Sequence, residues 1–294
     1  MDFIIISLAL IYLIIATISD IKTQEIPDSL NFSFVFIGLF VNALRTFTSN
    51  DNSYLLYSLL TFGAFFIVGR LMYYSKQWGG GDAKLLAGMG ALVPLYPMFT
   101  NGLSWAKTTN YFGLDFFINL ILVGAIYTII YAIYLSIKNR KKFIENFKEI
   151  YLTKKTKKFE KIIWVLVILI NAVGIFILKT NAERTLLLSI SLLLLLFNYL
   201  LVFTKAVEKT TMYKTISTQK LREGDCITSR LKSDDKIVYT PSVHGVKKSQ
   251  IELIQKHFKE VHIKEGISFA PTFLIAFLVT ILKGNSFLFI LTPF

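Results

Sequence analysis

Met1–Asp20 reads MDFIIISLALIYLIIATISD, a run with no charge between Asp2 and Asp20. At 1.5 Å per residue an apolar helix needs about 20 residues to cross a hydrocarbon core roughly 30 Å thick, and residues 3–19 come close to that length. A secretory leader would open with basic residues and end at a small-residue cleavage site. This stretch opens with Asp2 and shows neither feature, so it is read as a permanent first helix. The chain repeats the pattern: 54% of its 294 residues are hydrophobic, 17% are charged and the mean hydropathy is +0.56. Those values lie outside the range of soluble domains and point to a polytopic membrane protein.

Apolar segments fall at 3–19, 29–45, 54–74, 83–99, 114–137, 162–178, 184–204 and 267–283. The expected fold class is therefore an all-α polytopic membrane protein of about eight transmembrane helices with a small cytoplasmic α+β segment. The fourth run is the weakest, carrying Pro94 and Pro97, and the closing NSFLFILTPF is too short to cross. Five units are expected: a membrane catalytic core at 1–137, a basic cytoplasmic linker at 138–161, a transmembrane hairpin at 162–204, a small cytoplasmic domain at 205–266, and a final helix with its tail at 267–294.

Basic residues set the orientation. Residues 138–161 hold ten Lys and Arg against three acids, and residues 205–266 hold thirteen against eight. With eight spans both segments fall on one face, together with Lys22 and Lys76. The positive-inside rule makes that face cytoplasmic and turns both termini outward. The formal charge of +13 is then explained by topology and by contact with the lipid surface, with no nucleic-acid partner.

Within 205–266, KLREGDCITSRL and KIVYTPS read as short strands around a Gly-Asp turn, and KSQIELIQKHFKEV has the spacing of an amphipathic helix. Residues 138–161 read as a basic surface helix. Cys226 is the only cysteine, and His244, His257 and His262 lack the spacing of a zinc site. No metal and no cofactor is expected, and the histidines are read as surface residues.

The span count brings two acidic stretches to one face. Asp20 closes the first helix in SDIKTQEIPDSLN, and Asp82 opens the fourth in GGGDAKLL. Two neighbouring carboxylates at the edge of a low-dielectric region cannot both ionise cheaply, so the pair retains one proton. The ionised member activates water while the protonated one polarises a carbonyl, as in aspartic proteases. Gly79, Gly80 and Gly81 would let an extended substrate backbone approach and supply any positive φ the turn requires. The plainer alternative makes Asp82 an N-cap and Asp20 a boundary residue facing water. Glu25 and Asp28 share the first loop with Asp20, and physical reasoning leaves open which of the three approaches Asp82.

These two stretches resemble the paired motifs of the prepilin peptidase family of GxGD membrane aspartyl proteases, in particular its archaeal branch. SDIKTQEIPDSLN resembles the first motif and GGGDAKLLAGMGALVP the second; likeness resumes at LREGDCI and ISFAPTFLIAFLVTILKGN. The resemblance implies Asp20 and Asp82 as the catalytic pair; it assigns no role to Lys84 or the EIPD stretch, and Gly79, Gly80, Gly81, Lys84, Glu25 and Asp28 are this reading's own candidate substrate contacts. It implies an aspartic-type endopeptidase, without methyltransferase activity, that removes short basic leaders from type IV pilin-like or archaellin precursors at the cytoplasmic face. The archaeal members have about six spans, so the 162–204 hairpin reads as an insertion. A presenilin-like intramembrane protease and a non-catalytic membrane scaffold or transporter component are the competing readings.

Overall fold

A computed structural model of the chain describes residues 2–94, 111–233, 236–242 and 245–286. It divides into two compact units, residues 1–129 with 266–294, and residues 130–265.

The first unit is a helical bundle: α1 (Asp2–Thr23), α2 (Asp28–Ser49), α3 (Ser53–Tyr74), α4 (Gly80–Leu92), α5 (Phe112–Lys138, whose last turns belong to the second unit) and α10 (Ala270–Lys283). Gln24, in the left-handed region at φ 56°, ends α1, and Pro27 precedes α2 with the φ that its ring fixes. Leu13, Ala16, Leu85, Met89, Phe116, Phe273 and Phe277 form the buried centre, while the large apolar side chains on the outer faces are exposed, as lipid-facing helices require.

The expectation of eight spans is met in part. Among the described residues six helices are long and apolar enough to cross a membrane: α1, α2, α3, α5, α7 (Lys154–Ile177) and α8 (Asn181–Thr211). The other two expected spans correspond to short helices. Helix α4 has 13 residues and α10 has 14, about 20 Å each at 1.5 Å per residue, against a core of about 30 Å. Residues 95–99 of the fourth expected span, and most of NSFLFILTPF, lie outside the described residues.

The last carbonyls of a buried helix must find partners. For α4 they come from its neighbours: Asn42 Nδ2 donates to the carbonyls of Ala91 at 3.0 Å and Leu92 at 3.3 Å, and Ser58 Oγ donates to Ala91. For α10, Asn119 Nδ2 donates to Thr280 Oγ1 at 2.9 Å and to the Gly284 carbonyl at 2.7 Å, while Asn285 Nδ2 reaches Asp115 Oδ1 at 2.8 Å. Helix α4 is buried along almost its whole length because α2 and α3 close on it through residues lacking side chains. A Cβ on Gly38 would stand 2.7 Å from the Leu92 nitrogen, and one on Gly90 2.7 Å from the Thr61 carbonyl oxygen.

The second unit holds the end of α5, α6 (Arg140–Tyr151), α7, α8, and a segment of five strands and one helix. Helices α7 and α8 pair as a hairpin. Its turn is closed by a capping box, in which Thr180 Oγ1 accepts the Glu183 N–H and Glu183 accepts that of Thr180. Asn171 Nδ2 donates across the pair to Ser191 Oγ at 2.6 Å. The strands β1 (Tyr213–Ser217), β5 (Glu260–Lys264) and β2 (Cys226–Ile227) form an antiparallel sheet in that spatial order, and β3 (Leu231–Ser233) pairs with β4 (Lys236–Tyr239). Gly224, at φ 92°, makes the turn before Asp225 that the Gly-Asp pair predicted. Helix α9 (Lys248–His257) lays Ile254 into a small core with Ile227, Tyr239 and Val261. His257 and His262 are exposed, and His244 lies outside the described residues.

Candidate active site

Asp20 sits one turn before the end of α1 on the helix face that carries Leu13 and Ala16 inward, and only 7% of it is exposed. Its carboxylate meets the start of α10: the Ala270 N–H donates to Oδ2 at 2.9 Å, and the Asp20 carbonyl accepts from Ser268 Oγ at 3.1 Å. Helix α10 has no side-chain cap of its own, so Asp20 satisfies one of its orphan donors from across the bundle. This partner explains how a carboxylate is kept in a buried position.

Asp82 occupies the third position of α4. The cap itself is Gly79, and Asp82 reaches back to accept the Gly79 N–H at 3.1 Å. The reading of Asp82 as N-cap is therefore corrected: it supplies the carboxylate half of a capping box, whose geometry places the acid one turn into the helix. Asp20 and Asp82 lie at the same end of the bundle, near enough for the two charges to act on each other.

The positive φ that the glycine tract was expected to supply is not needed: Gly79 has φ −70°, an ordinary value, and Gly80 and Gly81 are the first residues of α4. Gly81 is small because the α1–α2 turn leans on it, its absent Cβ lying 3.2 Å from Ile26 Cβ. A Cβ on Gly79 would lie 3.1 Å from Asp82 Oδ2, so this glycine leaves room for the carboxylate that folds back over it. Gly80 faces the ring of Tyr73.

The remaining candidates separate into two groups. Lys84 Nζ pairs with Asp28 Oδ1, tying the second turn of α4 to the first turn of α2. Asp28 is thereby engaged by Lys84, not by Asp82. Glu25 is exposed in the α1–α2 turn, where its carbonyl accepts from Ser19 Oγ at 2.8 Å and Thr23 Oγ1 at 3.1 Å. Of the three acids near the end of α1, Asp20 is the buried one, while Glu25 and Asp28 are exposed.

Sequence reasoning missed the α10 start and its surroundings. Trp78, just before the Gly tract, packs on Phe269 and Phe273 with ring centroids 5.6 and 5.8 Å away. Tyr127 OH donates to the Ser268 carbonyl at 3.1 Å. The available signal was Pro271 in the first turn of an apolar run, which marks a helix start, yet no local pattern tells which distant side chain will cap it.

Residues 7–133 match the type IV leader peptidase family. Among similar proteins, the preflagellin peptidase of Methanocaldococcus jannaschii is 42% identical over 86 residues, 29% of this chain and 36% of that protein. The preflagellin peptidase of Methanococcus voltae is 36% identical over 138 residues, 45% of this chain and 57% of that protein. Prepilin peptidase EppA of Methanothermobacter thermautotrophicus is 28% identical over 147 residues, 48% of this chain and 38% of that protein. The chain thus spans between about a third and just over half of the length of these curated relatives. Both carboxylates, Asp20 and Asp82, lie inside the stretch that matches the type IV leader peptidases.

Proposed function

We propose that this protein is a membrane aspartyl endopeptidase that removes the short basic leader from type IV pilin-like or archaellin precursors, with Asp20 and Asp82 as its catalytic pair. The observation that supports this reading is the placement of the two carboxylates, one from the end of α1 and one from the start of α4, at the same end of the bundle within range of each other's charge. Among the described residues no cation pairs with either acid. Asp20 is bonded to a backbone N–H at the start of α10 and Asp82 to one at the start of its own helix, so each keeps capacity for water or a carbonyl oxygen.

In the proposed reaction one carboxylate takes a proton from water, which attacks the scissile carbonyl, while the protonated partner donates to the carbonyl oxygen. The tetrahedral diol collapses as the leaving nitrogen gains a proton. The charge bias of the loops puts this end of the bundle at the cytoplasmic face. The leader would lie in the cytoplasm and the hydrophobic helix of the precursor in the bilayer, with the scissile bond between them. Glu25 is the exposed carboxylate available to a basic leader, since Asp28 is shared with Lys84.

The test uses membranes containing the full chain and a precursor with a basic leader, followed by gel shift or mass spectrometry. Asp20→Asn and Asp82→Asn should each abolish leader removal at unchanged protein level. Normal cleavage by either single variant would exclude the pair; loss only in the double variant would favour a general charge effect.

A further inference from the structure

The hairpin unit carries a cleft that the peptidase reading does not use. It lies between α6 and the end of α8, is lined by Ile150, Lys205, Glu208, Lys209 and Tyr213, and encloses about 610 Å³. We propose that this cleft binds the phosphate headgroup of an anionic membrane lipid, with Lys205 and Lys209 as its cationic contacts.

Its depth follows from the hairpin. The uncharged part of α7 begins at Ile162 and that of α8 ends at Thr204, so those positions mark one boundary of the hydrocarbon layer. Just at that boundary stands an aromatic belt. The Tyr151 and Tyr199 rings stack with centroids 5.9 Å apart, both hydroxyls donate to Glu160 Oε1, and Lys157 Nζ lies 3.5 Å from the Tyr151 ring centre. Tyrosines in such belts mark headgroup level, and lysines bend toward it. Lys205 follows Tyr199 by six residues on the same helix, about 9 Å further along the axis, where lipid phosphates lie.

Helix α6 is held against the end of α8 by the Phe143 and Phe203 rings, 5.5 Å apart, by Asn146 Nδ2 donating to Thr210 Oγ1 at 3.0 Å, and by the Lys209–Glu149 ion pair. Among the described residues the charges in and around the cleft leave one net positive charge, that of Lys205, with Lys209 shared between Glu149 and the cleft. Glu208 is neutralised by Lys264 Nζ at 2.8 Å and accepts from Tyr213 OH at 3.1 Å; Glu149 is matched by Lys209; Lys205 is exposed. Along α6 and the start of α7, Lys148, Lys154 and Lys155 are exposed, and so is Leu152, 68% of whose surface is accessible. A basic rim with an exposed leucine suits an acyl chain beside an anionic headgroup better than it suits free phosphate.

The experiment takes the full chain in neutral detergent and measures apparent affinity for short-chain phosphatidylglycerol, short-chain phosphatidylcholine and inorganic phosphate. Phosphatidylglycerol should bind at least tenfold more tightly than either of the others. Lys205→Gln and Lys209→Gln should each weaken it about fivefold and together about twentyfold, as expected for lysines at an anionic surface. Lys205→Arg should retain binding, and Lys248→Gln on α9, with the same charge loss, should leave it unchanged. Equal binding of phosphatidylcholine, phosphate as tight as the lipid, or unchanged affinity in the folded double variant would each overturn the proposal. None of these outcomes depends on peptidase activity.

Discussion

Gly69→Ala is expected to disable the site without touching either carboxylate. Gly69 lies on α3 where α4 crosses it, and a Cβ built there stands 2.7 Å from the Ala83 carbonyl oxygen, 3.1 Å from its Cα and 3.2 Å from its carbonyl carbon. Ordinary contact begins near 3.4 Å, so the two backbones must separate by about 0.7 Å. Neither partner is a flexible side-chain end. Ala83 follows Asp82 directly, so the shift is passed to the carboxylate, while Asp20 is held separately by α10. Misplacement of a reacting group by about 1 Å costs on the order of 100-fold in rate, so a loss of about 10- to 100-fold in leader removal is expected. Overpacking adds about 1–3 kcal/mol of destabilisation. The control is Gly63→Ala, on the same helix with no atom within 4 Å of its new Cβ, which should leave cleavage unchanged. Both variants would be compared for initial cleavage rate and for thermal unfolding in detergent. Wild-type rates in Gly69→Ala, or equal losses in both variants, would refute the claim that α3–α4 contact sets the position of Asp82.

Asn42→Leu and Ser58→Ala should interact, because the Ala91 carbonyl keeps one donor in each single variant and loses both in the double. Each single change should cost about 1 kcal/mol and the double more than their sum, read from unfolding midpoints in detergent. In the sheet segment, burial raises the pKa of Asp225 above the usual carboxylate value, against the opposing effect of the Arg222 N–H that it accepts at 2.7 Å. Its contribution is thus fully present below the unfolded pKa and is lost as pH rises through the folded one. Asp225→Asn should therefore raise the unfolding temperature at neutral pH and lose that advantage in acid; the opposite pH trend would show that the hydrogen bond dominates.

Much of the membrane architecture was legible in the run lengths, because a hydrocarbon layer of fixed thickness tolerates few lengths of apolar helix. The spans of α1, α2, α3, α5, α7 and α8 follow from that constraint, and so does the common end shared by Asp20 and Asp82. The turn at Gly224, strand β4 and the start of α9 were also readable, since each is a local pattern, whereas β1 and β5 were not read as strands and α9 ends at His257, short of the helix expected through Val261. Helices α4 and α10 are shorter, among the described residues, than the full spans expected. An apolar window shows that a segment avoids water, but not that Asn42, Ser58 or Asn119 will receive the carbonyls at its helix end.

The site divides along the same line. The order of residues along the chain determined which acids reach the same membrane face, since alternating spans leave no choice of side. It did not determine that Gly79 is the cap and Asp82 the third residue of α4, nor that Lys84 engages Asp28. Only the tertiary structure brought the start of α10 to Asp20, some 250 residues away in sequence. The physical reason is that a hydrogen bond between distant segments leaves no periodic trace in either; the bundle must close before a buried carboxylate can meet the helix N-terminus that it caps.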